Sequence, residues 1–421
     1  MNMVKKDRIY YGWIVVAVCL FIGVVSFGIR YSYGVFFKSL EQDFGWSRAL
    51  TSGIFSIYML LCCIFAILGG WLLDRYGPRV IIILMGFFTG FSLILTSYAN
   101  SLWHLFITYS VLLAIGTGPT YTVTMATASR WFVKSRGLAV AIIGSGAGLG
   151  IIVMTPIAAH LVSSHGWQTA YFIIGLVALF TISPCALLLR KSPPIVTALP
   201  DSEKLATSNL ATSQEQPQNQ PEDFSLPQAA KTKNFWLVFF VWLLYSLCLH
   251  LVLTHLVPHA IDLGISSMKA AAILTLLGGT SIPGRLLMGR VSDIIGWKQG
   301  SIISALFMAG AMALPVGGSN LWTLYLFGII FGLSYGAIDP PIVALIGDVF
   351  GLRHIGVIMG ALVVGWSAGA AIGPALAGYI FDVNGNYVFA FLVGVVAMIV
   401  AAVLIFSVTP LRRQVLPLSG H

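Results

Sequence analysis

The sequence predicts an all-α membrane protein: twelve transmembrane helices arranged as two pseudo-symmetric six-helix bundles. Three observations lead there. Of its 421 residues, 58% are hydrophobic and 9% are charged, against about 25% charged in an average soluble domain. The apolar residues gather into runs of roughly 18–27, long enough to cross a bilayer core as helix. One loop is also written twice. Gly70, Asp74, Gly77 and Arg79 recur as Gly289, Asp293, Gly296 and Lys298, each 219 residues on. Gly137, Gly146 and Gly150 keep the same spacing to Gly356, Gly365 and Gly369.

The first span, 11–37, is too long for a cleaved leader, and no small-residue cleavage site follows it. Spans 49–73, 80–98, 102–128, 138–163 and 170–189 complete the first bundle, residues 1–190. Residues 191–233 are rich in Ser, Thr, Gln, Pro and Asn, the composition of a flexible cytoplasmic linker. Spans 234–260, 270–291, 300–317, 321–346, 356–380 and 388–408 form the second bundle, residues 234–421.

The 23 Lys and Arg against 14 Asp and Glu do not indicate nucleic acid, because they sit in short loops beside apolar spans. One side carries Lys5, Lys6, Arg8, Arg75, Arg79, Arg130, Lys134, Arg136, Arg290, Lys298, Arg353, Arg412 and Arg413. The other side is bare or balanced, as with Lys38 and Arg48 against Glu41 and Asp43. Positive-inside orientation then puts both termini in the cytoplasm. All five cysteines lie inside apolar runs, which argues against a disulfide framework. No metal spacing, phosphate-binding loop or nucleophile elbow occurs, so neither a metal, a cofactor nor an enzyme is expected.

Few polar groups fall inside the spans. Arg285 interrupts the eighth, where a charge costs about 2.5–3.5 kcal/mol on insertion scales and so faces a cavity or a partner. No acid lies within four residues of it, so it is expected to fork a carboxylate, with Asp339 of the tenth span as the competing partner. Asp339, just before Pro340-Pro341, can instead titrate or answer backbone groups freed by the prolines. Arg30 can draw anions inward or snorkel to the surface. His250, His255 and His259 crowd the seventh span, with His255 and His259 on one face. His255 and His250 are candidate proton carriers, and His259 an interface residue. Thr117, Thr120, Tyr121 and Tyr335 are hydroxyls at midplane depth, suited to an anion or to packing. Gly360, Gly365, Gly369 and Gly373-Pro374 read as close helix packing. Trp366 faces a cavity or a neighbour.

The doubled loop, with Arg75 inside its first copy, resembles the signature of the major facilitator superfamily, which implies that superfamily's fold and transport by alternating access. Within it, Trp131 to Gly150 and the first span, opening Tyr11-Gly12-Trp13 and ending Val35-Phe36-Phe37, resemble monocarboxylate transporters. Arg285 falls where that family keeps the arginine that binds the substrate carboxylate, and His255 about where related bacterial carriers line the cavity. The family's first-helix lysine falls at Tyr31, and its aspartate near the arginine falls at Ser281. That departure resembles a bacterial branch that includes oxalate–formate exchangers. The resemblance implies a monomeric carrier in a bacterial inner membrane, with a small carboxylate anion and a proton as partners. It points to proton-coupled uptake of a lactate- or pyruvate-like acid, with His255 or Asp339 as proton carrier. The alternatives are an anion exchanger, a drug/proton antiporter, disfavoured by Thr155-Pro156, and a non-transporting membrane sensor. The absence of Lys and Arg from 356–380 favours a substrate with one carboxylate.

Overall fold

The computed structural model describes residues 11–129, 131, 142–189, 224–318, 320–350 and 355–409. The linker 191–223, the basic residues Lys5, Lys6, Arg8, Arg130, Lys134, Arg136, Arg353, Arg412 and Arg413, Gly137, and the side chains of Asp74 and Asp293 lie outside that set. The first crossing is α1 (Tyr11–Tyr31) continued by α2 (Tyr33–Phe44), longer than the expected 11–37, because the helix resumes after one turn at Ser32. Then come α3 (Arg48–Tyr76) and α4 (Pro78–Ser97). The fourth crossing is composite: α5 (Leu102–Leu105), a π-helical segment (Phe106–Leu112), α6 (Leu113–Thr117) and α7 (Thr120–Ser129). Next is α8 (Gly146–Cys185), broken at Gly166, whose φ of 80° turns the chain back and makes two crossings of it. The second half has a short α9 (Leu226–Ala230), then α10 (Lys233–Asp262), α11 (Ser267–Ile295) and α12 (Trp297–Gly317). It closes with α13 (Leu321–Phe350), α14 (Ile355–Asn384) and α15 (Val388–Ser407). With α8 counted twice, the 11 candidate spans among the described residues give the twelve crossings expected.

The repeat extends to backbone geometry. The six glycines at positive φ pair off as Gly45 and Gly264, Gly77 and Gly296, and Gly166 and Gly385, each 219 residues apart. The doubled loop has a common job in both copies. Arg79 Nε donates to the Leu189 carbonyl at 2.6 Å, and Lys298 Nζ to the Val408 carbonyl at 2.7 Å. Leu189 and Val408 are again 219 apart, so each basic residue satisfies a carbonyl just beyond the last helix of its half. Arg75 lies over the rings of Trp71 and Tyr76.

Contacts group the chain into two compact units. The first comprises Met1–Lys204, Leu251–Gly279 and Pro374–Tyr387; the second Leu205–His250, Thr280–Gly373 and Val388–His421. In lipid, apolar side chains gain little by leaving the solvent, so helices associate where small residues let backbones meet. Within the first unit, Gly34 of α2 lies against the Leu253 and Thr254 carbonyls of α10. Gly278 of α11 lies against Ile151 of α8, and Gly378 of α14 against Ser52 and Arg48 of α3. Within the second unit, Gly365, Gly369 and Gly373 seat α14 on the Phe239, Leu243 and Leu247 carbonyls of α10. A Cβ at Gly360 would meet no atom within 4 Å, so three of the four glycines expected to pack do so.

Gly336 of α13 has no room for a Cβ, which would collide with the Ser281 carbonyl of α11. Overpacking of that kind costs about 1–3 kcal/mol. Gly336→Ala is expected to lower the melting temperature of the purified protein by several degrees, whereas Gly360→Ala leaves it unchanged or slightly raised. Thermal unfolding in one detergent makes the comparison.

Candidate functional site

Arg285 sits in α11 two residues after Pro283, with its partner on α13. The contact at Gly336 brings those helices together, and Asp339 follows less than one turn later. There Arg285 Nη2 donates to Asp339 Oδ2 at 2.9 Å. The guanidinium carbon also lies 5.8 Å from the centre of the Tyr335 ring, so the charge meets both a carboxylate and a π face. Tyr245 of α10 donates to the Tyr335 carbonyl at 3.2 Å, fixing that turn of α13. The prolines after Asp339 free backbone carbonyls, which are acceptors, and a carboxylate cannot answer them. Ser304 of α12 donates to the Ala337 carbonyl at 3.2 Å, the one that Pro341 leaves open. Asp339 instead pairs with Arg285. Its side chain keeps 40% exposure against 23% for Arg285, so the acid is the accessible member of the pair.

The three histidines separate. His250 is fully buried, with Nδ1 2.9 Å from the Ser246 carbonyl and its ring edge-on to Trp366 at 4.9 Å. Trp366 thus faces a neighbour. His255 belongs to the first unit, 2.8 Å through Nε2 from the Pro374 carbonyl and 2.9 Å through Nδ1 from Tyr387 Oη. Since a carbonyl only accepts, Nε2 carries the hydrogen, and a neutral ring takes the Tyr387 hydroxyl on Nδ1. Both nitrogens are used in that form. His259 lies edge-on to the same Tyr387 ring at 5.5 Å.

Tyr387 opens onto an ion-pair cluster that no local pattern announces. Arg48, 3% exposed at its side chain, donates to Glu41 Oε1 at 3.0 Å, Asp262 Oδ1 at 2.9 Å and Tyr387 Oη at 2.7 Å. Its guanidinium carbon stands 3.6 Å from the centre of the Phe381 ring. Lys38 bridges Glu41 and Asp262, both at 3.0 Å. Asp382 accepts from the amides of Arg48 and Ala49, capping the N-terminus of α3. Burial pushes the Tyr387 phenol well above its ordinary range, so it stays protonated and both donates and accepts. The signal available in the sequence was the balanced charge around residues 38–48; the partners at 262, 382 and 387 were out of its reach.

Arg30 does not snorkel. It is 5% exposed, with Nε donating to Tyr58 Oη at 3.1 Å and Nη2 to the Thr117 carbonyl at 3.0 Å. Thr117 itself donates to the Leu113 carbonyl and shares a 2.6 Å hydrogen bond with Tyr58, which occupies its hydroxyl. Tyr121 is 58% exposed, Thr120 buried, and Tyr335 buried beneath Arg285.

Comparison with known proteins follows the same lines. The family model of the Major Facilitator Superfamily matches residues 19–318 and again 260–419. Zebrafish (Danio rerio) monocarboxylate transporter 12-B is 26% identical over 96% of this chain and 88% of its own. Rat (Rattus norvegicus) monocarboxylate transporter 13 is 26% identical over 91% and 85% respectively. Among solved structures, a bacterial homolog of the human lysosomal transporter Spinster, inward-facing and occupied, superposes with a TM-score of 0.75 at 16% identity. That match covers 95% of this chain and 97% of the other, and shares the fold. These relatives are transporters rather than enzymes. The chain belongs to the Major Facilitator Superfamily and resembles its monocarboxylate transporters along nearly its whole length.

Proposed function

We propose that the protein is a secondary transporter that takes up small monocarboxylates together with a proton, by alternating access. Arg285 is the carboxylate fork and Asp339 the proton carrier. The observation that supports this reading is the 2.9 Å pair between them. At rest the guanidinium is neutralised by Asp339. An arriving carboxylate competes for the same donors, and two carboxylates on one guanidinium repel each other in a medium of low dielectric. Protonation of the more exposed Asp339 removes the repulsion and releases Arg285. Anion and proton then raise each other's affinity by linkage. The cycle also becomes electrically neutral, which matters because an anion entering a negative cell is opposed by about 2.3 kcal/mol per 100 mV.

The relatives' names, monocarboxylate transporters, support the substrate class. So does the absence of any Lys or Arg from 356–380, which leaves a second carboxylate without a cation there. The basic loops favour a cytoplasmic side for the doubled loop and both termini. Movement also requires the cluster around Arg48, Asp262 and Tyr387 to part and re-form, which fits its make-up of ion pairs and small-residue contacts rather than interlocked large side chains.

Two outcomes follow for reconstituted vesicles. Arg285→Lys is expected to lose more than about tenfold in lactate or pyruvate uptake while remaining folded, since an ammonium cannot reproduce the planar fork. Retention of over half the rate would remove the anchor. Wild-type uptake is expected to rise as outside pH falls from about 7.5 to 5.5, because proton binding precedes release of Arg285. Asp339→Asn should flatten that rise and still exchange anions, while His255→Gln keeps the slope. Wild-type uptake indifferent to pH and dependent on internal anion would identify an exchanger instead.

A further inference from the structure

We propose that Arg30 forms a second anion subsite, inside the N-terminal helices, that takes a small carboxylate monoanion without a proton. The inference rests on the reading of the protein as a carboxylate carrier and is independent of Arg285. Among the described residues Arg30 and Arg48 are buried and Arg285 is half-buried, and two of these three have acids. Arg285 has Asp339, and Arg48 has Glu41 and Asp262. Arg30 has none among the described residues. Its neighbours are neutral: the Tyr58 hydroxyl, the Thr117 carbonyl, and the Cys62 thiol 3.7 Å from Nη2. The Phe27 and Tyr58 rings stand 5.3 and 5.8 Å from its guanidinium carbon.

Dipoles and ring faces hold a cation in place but do not cancel its charge. A buried guanidinium that lacks a counter-ion attracts an anion more strongly than one already paired. The geometry also leaves room in the donor set. A guanidinium carries five N–H groups, and Nε and Nη2 are the nitrogens engaged, leaving Nη1 to spare. Hydroxyls without hydrogen-bond partners lie close by in the chain. Ser26 is one helical turn before Arg30 on the same face, and Thr120 is three residues beyond Thr117; both are buried. One uncompensated cation suits a small ligand of single negative charge. Arg285 is different in kind: its anion must displace Asp339 and so brings a proton, whereas Arg30 has no acid to displace.

The test plants the missing carboxylate. Cys62→Asp puts an acid within ion-pair reach of Nη2, and Cys62→Asn is the uncharged control of similar size. Both are made in the Arg285→Lys background, so that a failure of the Arg285 anchor does not affect the result. Thermal unfolding is followed with lactate, with chloride, and with neither. The Asp protein should melt higher than the Asn protein without ligand. Lactate should stabilise the Asn protein, and its affinity for the Asp protein should fall more than about tenfold, the size expected when one charged hydrogen bond is lost. Equal lactate stabilisation of both proteins overturns the subsite. Chloride stabilising the Asn protein as well as lactate overturns the carboxylate assignment. Should the Asp protein not fold, labelled lactate binding to Arg30→Gln in the same background decides. Loss of binding supports the subsite, and retention within twofold of the background overturns it.

Discussion

A charge inside a bilayer has to be answered by another charge or by oriented dipoles, and the polar anatomy of this protein follows from that requirement. Among the described residues, Arg30, Arg48 and Arg285 are withdrawn from the surface, and each is answered differently. Arg285 meets one acid on another helix. Arg48 meets two acids, a phenol and a ring face. Arg30 meets only neutral groups. The number of acids around each cation sets its work. On the proposed mechanism one acid makes an exchangeable pair, two make a lock that parts and re-forms, and none leaves a charge for a ligand to neutralise.

These contacts exist because backbones come close. Gly336 lets α13 reach the Ser281 carbonyl of α11, and Asp339 then falls within reach of Arg285. Gly378 does the same beside Arg48. In a membrane this close approach replaces the hydrophobic drive that assembles soluble bundles. Glycine is therefore the residue that sets the electrostatics here, although it carries no charge.

Much of the fold was legible in the sequence, for a physical reason. Span length and the 219-residue repeat are local or periodic signals, and the positive-φ glycines show the same repeat in the backbone. The fifth and sixth crossings were legible as separate apolar runs, and the break between them falls at Gly166, where φ is 80°. The site was legible in part. Arg285 stands out as a charge in an apolar run, and Asp339 could be named as its partner. The choice between ligand and partner needed the helix packing. His255 looked like a proton carrier because it is titratable and lies within a span; its bonds to Tyr387 and the Pro374 carbonyl join segments more than 100 residues apart, which no window detects. The Arg48 cluster was hidden for the same reason.

On the proposed mechanism one carboxylate displaces another from Arg285, and the displaced acid, Asp339, takes a proton. The most direct measurement is proton uptake by the purified protein in weakly buffered detergent solution on addition of lactate near neutral pH. The account predicts uptake of about one proton for each anion bound at Arg285. That uptake should disappear when Asp339 is replaced by Asn while lactate still binds. If the lactate binding that Arg285→Lys removes takes up no proton in the wild-type protein, the mechanism is contradicted.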